Sequence, residues 1–341
     1  MMKKVVFVAV FVSLLVLSGL NAGAATLKLA SIAPEGSVWM TEMRKGAEEI
    51  KKRTDGRVVL KFYGGGVMGN EKSVLRKIRI GQLQGGAFTA TGLSEVYSDL
   101  RLYGLPMIFR SHEEVDYVRS RFDKKLLDGL EKTGFVSFGF GEGGFALLMS
   151  HNPVSSLADL KGTKIWIPRD DLISEVGMKH LGLSPISLPI TDVLTGLQTG
   201  LLDSVATPPV GAIAFQWHVK VKYLTNVPLA YTYATLIVGQ RAFNRLSSAD
   251  QLVVREVMGS IYDLFNRQSR QDNQEAYNAL VKHGIQVVTP SPEEEALWHK
   301  KAEEVCLKMK KDGAFNAVLY DEMQGDLAEF RNQNNPKVAG Q

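Results

Sequence analysis

The segment Ser155–Pro209, SSLADLKGTKIWIPRDDLISEVGMKHLGLSPISLPITDVLTGLQTGLLDSVATPP, alternates between two hydrophobic periods. It divides into turn, strand, helix, strand, helix, strand. Leu160-Lys161-Gly162 is the turn, and Thr163 to Ile167 is a short β-branched run closed by Pro168. Asp170 or Asp171 is placed to N-cap the next helix, because a side-chain oxygen there accepts the free amides of the first turn. Gly182 ends that helix, since a left-handed C-cap is easiest without a Cβ. Ile186 and Leu188 fit a second strand, Asp192 caps a second helix, Gly200 ends it, and Leu201 to Ala206 is a third strand.

Toward the N-terminus the same alternation continues. TLKLASI is a first strand, and Trp39, Met43, Ala47 and Ile50 mark one face of a helix from about Ser37 to Lys52. Val58, Leu60 and Phe62 share a strand face. Gly64 to Gly69 spells G-x-G-x-x-G before a helix, the outline of a nucleotide-binding turn. An NAD-type oxidoreductase is the reading it would support. No acid stands about twenty residues on to hold a ribose, so a tight turn needing positive φ explains the glycines better. A helix from His112 to about Lys132 and a strand from Phe135 to Phe140 follow. The glycine-rich exit Gly141-Glu142-Gly143-Gly144 reads as a crossing between lobes.

Toward the C-terminus, Phe215 to His218 reads as helical, and Leu229 to Val238 is a strand long enough to cross back. Ser247 or Ser248 caps a helix reaching about His283, with Leu252, Val257, Ile261, Leu264 and Phe265 expected inward. Its waist, Arg267 to Glu275, is almost wholly polar, which suggests packing on two bodies with solvent between them. The expected class is α/β, with two lobes around a hinged cleft and a long helix crossing both. The expected division is residues 25–142 plus about 232–268 in lobe I, and 143–231 plus about 269–325 in lobe II. Residues 326–341 are expected to be a flexible tail.

Composition narrows function. The 341 residues are 45% hydrophobic and 22% charged, an ordinary globular balance with ample core. Met1 to Ala24 has the form of an export leader: Lys3 and Lys4, an apolar run from Val5 to Leu20, and the small residues Ala22-Gly23-Ala24. Cleavage there would leave the mature chain in the periplasm with a net charge of about +2, too little for nucleic acid. The single cysteine, Cys306, excludes an internal disulfide and a cysteine-ligated metal. Six scattered histidines give no metal-ligand spacing, and neither paired carboxylates nor a G-x-S-x-G elbow is present. No enzyme chemistry and no cofactor is expected.

The central segment resembles the second lobe of the solute-binding proteins of TRAP (tripartite ATP-independent periplasmic) transporters. Their hallmark is D-L-K-G-x-K-x-R-x-P followed some thirty residues later by L-Q-T-G-x-x-D. Here Asp159 to Pro168 and Leu197 to Asp203 occupy those places. Pro34-Glu35-Gly36-Ser37, Thr54-Asp55-Gly56, Gly69-Asn70-Glu71, and Leu105-Pro106 with Phe109 resemble further landmarks in family order. The resemblance covers about residues 26 to 310. It implies a periplasmic receptor that closes over one small molecule and passes it to the membrane permease subunits of an ion-driven transporter.

The departures lie in the implied pocket. Trp166 stands where the family has its ligand-gripping arginine, Ala146 where many members have a second one, and Ile190 near a substrate-packing aromatic. Arginine grips a carboxylate bidentately, whereas tryptophan offers a large apolar face and one N–H. An apolar ligand burying ~400 Å² at ~25 cal/mol/Å² gains ~10 kcal/mol before association costs. The swap implies a neutral or hydrophobic ligand, as in a branch of the family that works with a helical-repeat periplasmic partner. The alternative is a carboxylate site with its charge relocated to Arg169. The candidate ligand contacts are Trp166, Phe145, Arg169, Ile190, Thr207, Pro208, Trp39, Thr89 and Tyr233.

Overall fold

The computed structural model describes residues 24–334. The expected leader, up to Gly23, and the last seven residues lie outside the described residues. In chain order come β1 (Ala25–Ala30), α1 (Val38–Arg53), β2 (Val58–Tyr63), α2 (Glu71–Arg79), β3 (Gly85–Thr89), α3 (Ala90–Leu93), α4 (His112–Glu131), β4 (Phe135–Ser137) and β5 (Gly141–Ser150). The middle holds β6 (Trp166–Pro168), α5 (Leu172–His180), β7 (Ile186–Leu188), α6 (Val193–Gln198), β8 (Ser204–Thr207) and α7 (Pro209–Ala214). The last third holds β9 (Tyr223–Gly239), α8 (Gln240–Phe243), α9 (Ser248–Lys282), β10 (Gln286–Val288), α10 (Pro292–Lys311) and α11 (Ala317–Asn334).

One strand organises the molecule. β9 is 17 residues long, roughly 55 Å at strand rise. Its C-terminal part pairs antiparallel with β3 and β4, its start pairs parallel with β10, and β5 runs along it from Tyr223 to Ala234. The strand order is β2-β1-β3-β9-β5-β8, so a single sheet passes through both lobes. The run Gly141–Gly144 is part of β5 rather than an exit loop. The register shifts between Glu142 and Gly144 and again between Ala146 and Leu148, and such bulges bend a strand where the sheet changes direction. Gly143 is required there: a Cβ would sit 2.5 Å from Thr232 Oγ1.

The central segment follows the expected element order, with shorter strands. Asp171 caps α5 by accepting from the Ile173 amide at 3.2 Å. Asp192 precedes α6 without a side-chain cap bond, because Ile190–Asp192 is already a 3-10 turn. β6 and β7 pair with each other, and a single bridge from Ile165 to Ser204 ties them to the main sheet. Phe215 to His218 is not one helix. Gln216 adopts a left-handed conformation that ends α7 and starts a 3-10 turn at Trp217.

α9 joins two cores. Val254, Met258, Ile261 and Phe265 pack with Leu29, Met40 and Ile50, whereas Leu280 packs with Met149, Val205 and Trp217. Leu252, expected inward, is 58% exposed, because Val254, one position off that stripe, takes the buried face. The polar waist is not a solvent gap. Arg270 pairs with Glu142 and Asp116, Asn266 accepts from the Glu142 amide, and Asn273 donates to the Gly143 carbonyl at 2.9 Å. The waist is polar because it supplies hydrogen bonds to the irregular crossing of β5.

The C-terminal helices also differ from expectation. α11 extends to Asn334, so residues 326–334 are helical rather than tail. Met323 and Leu327 are fully buried with Phe122, Leu126 and Leu130 of α4, which places this end of the chain in the first lobe's core. Arg331 donates to both carboxylate oxygens of Glu114 at 2.7 and 2.8 Å.

Candidate functional site

A cavity of about 470 Å³ lies between the crossing strands β5 and β9, helix α5, the β8–α7 turn and α10. Its size suits a small organic ligand. Trp166, Ile190, Thr207, Pro208, Thr89 and Tyr233, six of the nine candidates, line it.

Trp166 is buried, and its placement explains what it can do. β6 is a short parallel strand beside β7, and the indole Nε1 donates across to the Leu188 carbonyl at 2.9 Å. Its one donor is therefore used within the protein. The ring meets Trp217 edge to face at 5.1 Å between centroids, and Trp217 stacks on Phe215 at 5.3 Å. All three border the cavity, giving it an aromatic wall, and Ala146, Leu148, Met178 and Trp298 extend the apolar lining. A carboxylate placed against this wall would lose its hydration without gaining a partner, at a cost of several kcal/mol.

The other three candidates lie elsewhere. Trp39 stacks on Phe265 and meets Phe62 edge-on, half-buried against the core between α1, β2 and α9. Phe145 projects toward His112 and the edge of Tyr231 and does not line the cavity. Strand alternation accounts for this, since Ala146 takes the inward position. Arg169 borders a separate pocket of about 50 Å³ with Lys72, Glu95 and Asp170, so it is not placed to grip a ligand in the large cavity.

Three charged residues missed from sequence, Arg101, Asp171 and Lys301, line the cavity, and Lys301 is held by Glu304 at 2.8 Å. Arg101 lies in the 3-10 stretch Ser98–Gly104, where its Nη1 donates to the Ala314 carbonyl at 2.8 Å. Its Nε is buried without an acceptor, and its Nη2 makes no hydrogen bond among the described residues. Burial lowers the guanidinium from its usual range, while the nearby Asp171, Glu95 and Asp99 oppose that shift. Asp171 is buried, and the loss of hydration raises its carboxyl against the bonds from Ser174 and Ile173. The only sequence signal for Arg101 was a cation between two leucines, Leu100 and Leu102. Behind the lining, Arg119, also missed, anchors Tyr231 through its hydroxyl at 3.0 Å and bonds Asp123 and the Phe140 carbonyl.

The two sides of the cleft touch beside the cavity. Lys72 of α2 reaches Asp170 at 3.2 Å, and Gly66 lies directly against Thr191. Gly65, Gly66 and Gly69 all have positive φ, as the tight-turn reading of that run requires. Among the described residues no cluster of histidine, cysteine or carboxylate residues could hold a metal, and no helix is long and apolar enough to cross a membrane.

Two lobes on one crossed sheet, enclosing a small-molecule cavity, define a solute-binding protein of the periplasmic type. The sequence profile of the bacterial extracellular solute-binding proteins, family 7, matches residues 29–312, and the chain belongs to this DctP family of TRAP solute-binding receptors. It is 25% identical over 267 residues to the C4-dicarboxylate-binding periplasmic protein DctP of Rhodobacter capsulatus, covering 76% of this chain and 80% of that one. It is 26% identical over 261 residues to the 2,3-diketo-L-gulonate-binding periplasmic protein YiaO of Escherichia coli (strain K12), covering 72% and 75%. Among solved structures, a TRAP periplasmic solute-binding protein from Ochrobactrum anthropi, with its C-terminus bound in the ligand pocket, superposes with TM-score 0.78 at 26% identity, covering 93% of this chain and 99% of that one. The sugar acid-binding protein of Advenella mimigardefordensis, in complex with galactonate, superposes with TM-score 0.83 at 21% identity, covering 90% and 98%. DctP-family receptors are periplasmic binding proteins of transporters rather than catalysts.

Proposed function

We propose that this receptor is exported by its N-terminal leader, binds a neutral, largely apolar small molecule in the 470 Å³ cavity and delivers it to an ion-driven TRAP permease. The observation that carries the reading is Trp166 in the arginine's place, with its N–H already bonded to Leu188. The proposed contacts are Trp166, Ile190, Thr207, Pro208, Thr89 and Tyr233, joined by Trp217 and Phe215. A helical-repeat periplasmic protein is a proposed additional partner, because an apolar solute partitions poorly into water between receptor and permease. The direct test is native mass spectrometry of the mature protein, with extraction and identification of whatever co-purifies. A neutral lipophilic molecule is the expected result, and a hydrophilic sugar acid would overturn the reading.

A second reading is a carboxylate ligand. The R. capsulatus, E. coli and A. mimigardefordensis relatives are named for a dicarboxylate, a diketogulonate and a sugar acid, respectively. Of the two cations in the lining, Lys301 is paired with Glu304, so Arg101 is the one that would have to serve it.

A further inference from the structure

Resting on the reading of the cavity as the ligand site, we propose that Arg101 and Asp171 form a head-group subsite for a neutral oxygen-bearing group, a carboxamide or an alcohol, on an otherwise apolar ligand. Three observations carry it. First, Arg101 is fixed by a single bond, from Nη1 to the Ala314 carbonyl, and leaves donors without protein acceptors. It makes no ion pair within 4.0 Å among the described residues, so its charge meets no contact carboxylate in the protein.

Second, the lining carries two cations and one carboxylate, and an acid behind it balances the difference. Arg101 and Lys301 are its cations; Lys301 is held by Glu304 at 2.8 Å, and Asp171 borders the same cavity as Arg101. Glu95 and Asp99 add negative potential near Arg101, offset in part by Lys72, which lies 3.7 Å from Glu95. A carboxylate head would bring a net negative charge beside the buried Asp171, in surroundings where charges are weakly screened. A neutral head avoids that repulsion while its oxygen still accepts from the guanidinium.

Third, the Asp171 carboxylate already accepts from Ser174 Oγ and the Ile173 amide, yet a carboxylate has about four acceptor positions. It retains capacity for the N–H or O–H of such a head. Carboxamides and alcohols offer both an acceptor for Arg101 and a donor for Asp171.

The test compares decanamide with decanoate, which share a chain and differ in the charge of the head, by tryptophan fluorescence titration at pH 7.5. Decanamide is expected to bind at least tenfold more tightly. Arg101→Met should weaken decanamide by about five- to thirtyfold, and Asp171→Asn, which retains a capping side chain, should narrow the preference by improving decanoate binding. An unchanged decanamide affinity in a folded Arg101→Met protein would overturn the subsite and leave the apolar cavity reading standing. Tighter binding of decanoate by the unaltered protein would overturn the subsite and the neutrality of the ligand. Failure of both probes to bind would overturn the cavity reading and the subsite with it. The wild-type comparison holds whether or not the variants fold.

Discussion

The indole N–H of Trp166 donates to the Leu188 carbonyl at 2.9 Å, so its one donor is used within the protein while the ring borders the cavity. Trp166→Ala should weaken the co-purifying ligand more than tenfold. It should also lower stability by about 3 kcal/mol, the range for emptying a buried aromatic position. Arg169→Ala should change affinity less than twofold, because Arg169 borders only the separate small pocket. Calorimetric titration with the extracted ligand checks both, and the reverse pattern would favour a carboxylate gripped at Arg169.

Gly66 tests whether the closed arrangement is needed for binding. A Cβ there would come within 2.7 Å of Thr191 Cγ2, whereas one at Gly65 meets nothing within 4 Å, and both glycines have positive φ. Gly66→Ala and Gly65→Ala should therefore share a modest backbone penalty, on the order of 1 kcal/mol. Only Gly66→Ala should weaken ligand binding, by roughly tenfold. Melting curves alongside titrations separate the two effects.

Glu71 gives a pH signature. It is partly buried against the Thr89 amide and hydroxyl, and the loss of hydration pushes its carboxyl up to about 7. The folded state then holds a proton that the unfolded chain releases near pH 4.5, so this group's contribution falls as pH rises from about 4.5 to about 7. The span corresponds to on the order of 3 kcal/mol. Glu71→Gln, which can still accept from Thr89, should flatten that part of the stability profile in urea unfolding measured from pH 4 to 8.

The C-terminal helix is expected to be structural. Glu114 is nearly buried, and Arg331 supplies two charge-assisted bonds to it. Arg331→Ala would leave that carboxylate poorly paired and should cost about 3 kcal/mol. Truncation after Asp326 should cost more, because it also removes the fully buried Leu327. Thermal unfolding of both variants measures this, and an unchanged melting temperature after truncation would restore the view of residues 326–334 as a dispensable tail.

Much of the fold was legible because its signals are local. The alternating strand and helix periods, the caps at Asp171 and Ser247, and the glycines that close helices each depend on a few neighbouring residues. Trp166 was legible as a candidate too, since a frame of residues resembling the family hallmark surrounds it. What escaped depends on partners distant in sequence. The polar waist of α9 reads locally as a solvated gap, because its partners in β5 stand some 124 to 130 residues away in sequence. Residues 326–334, expected as a flexible tail, instead bring Leu327 and Arg331 to α4 across the molecule.

By itself, then, the sequence determined the α/β class, the crossing helix and the family. Only the tertiary structure decided which of the candidate side chains share one cavity. It set aside Trp39, Phe145 and Arg169 and brought in Arg101 and Asp171 from separate segments. The physical reason is that periodicity tells which face of an element is buried, whereas the environment of that face is set by chain crossings that no local pattern records.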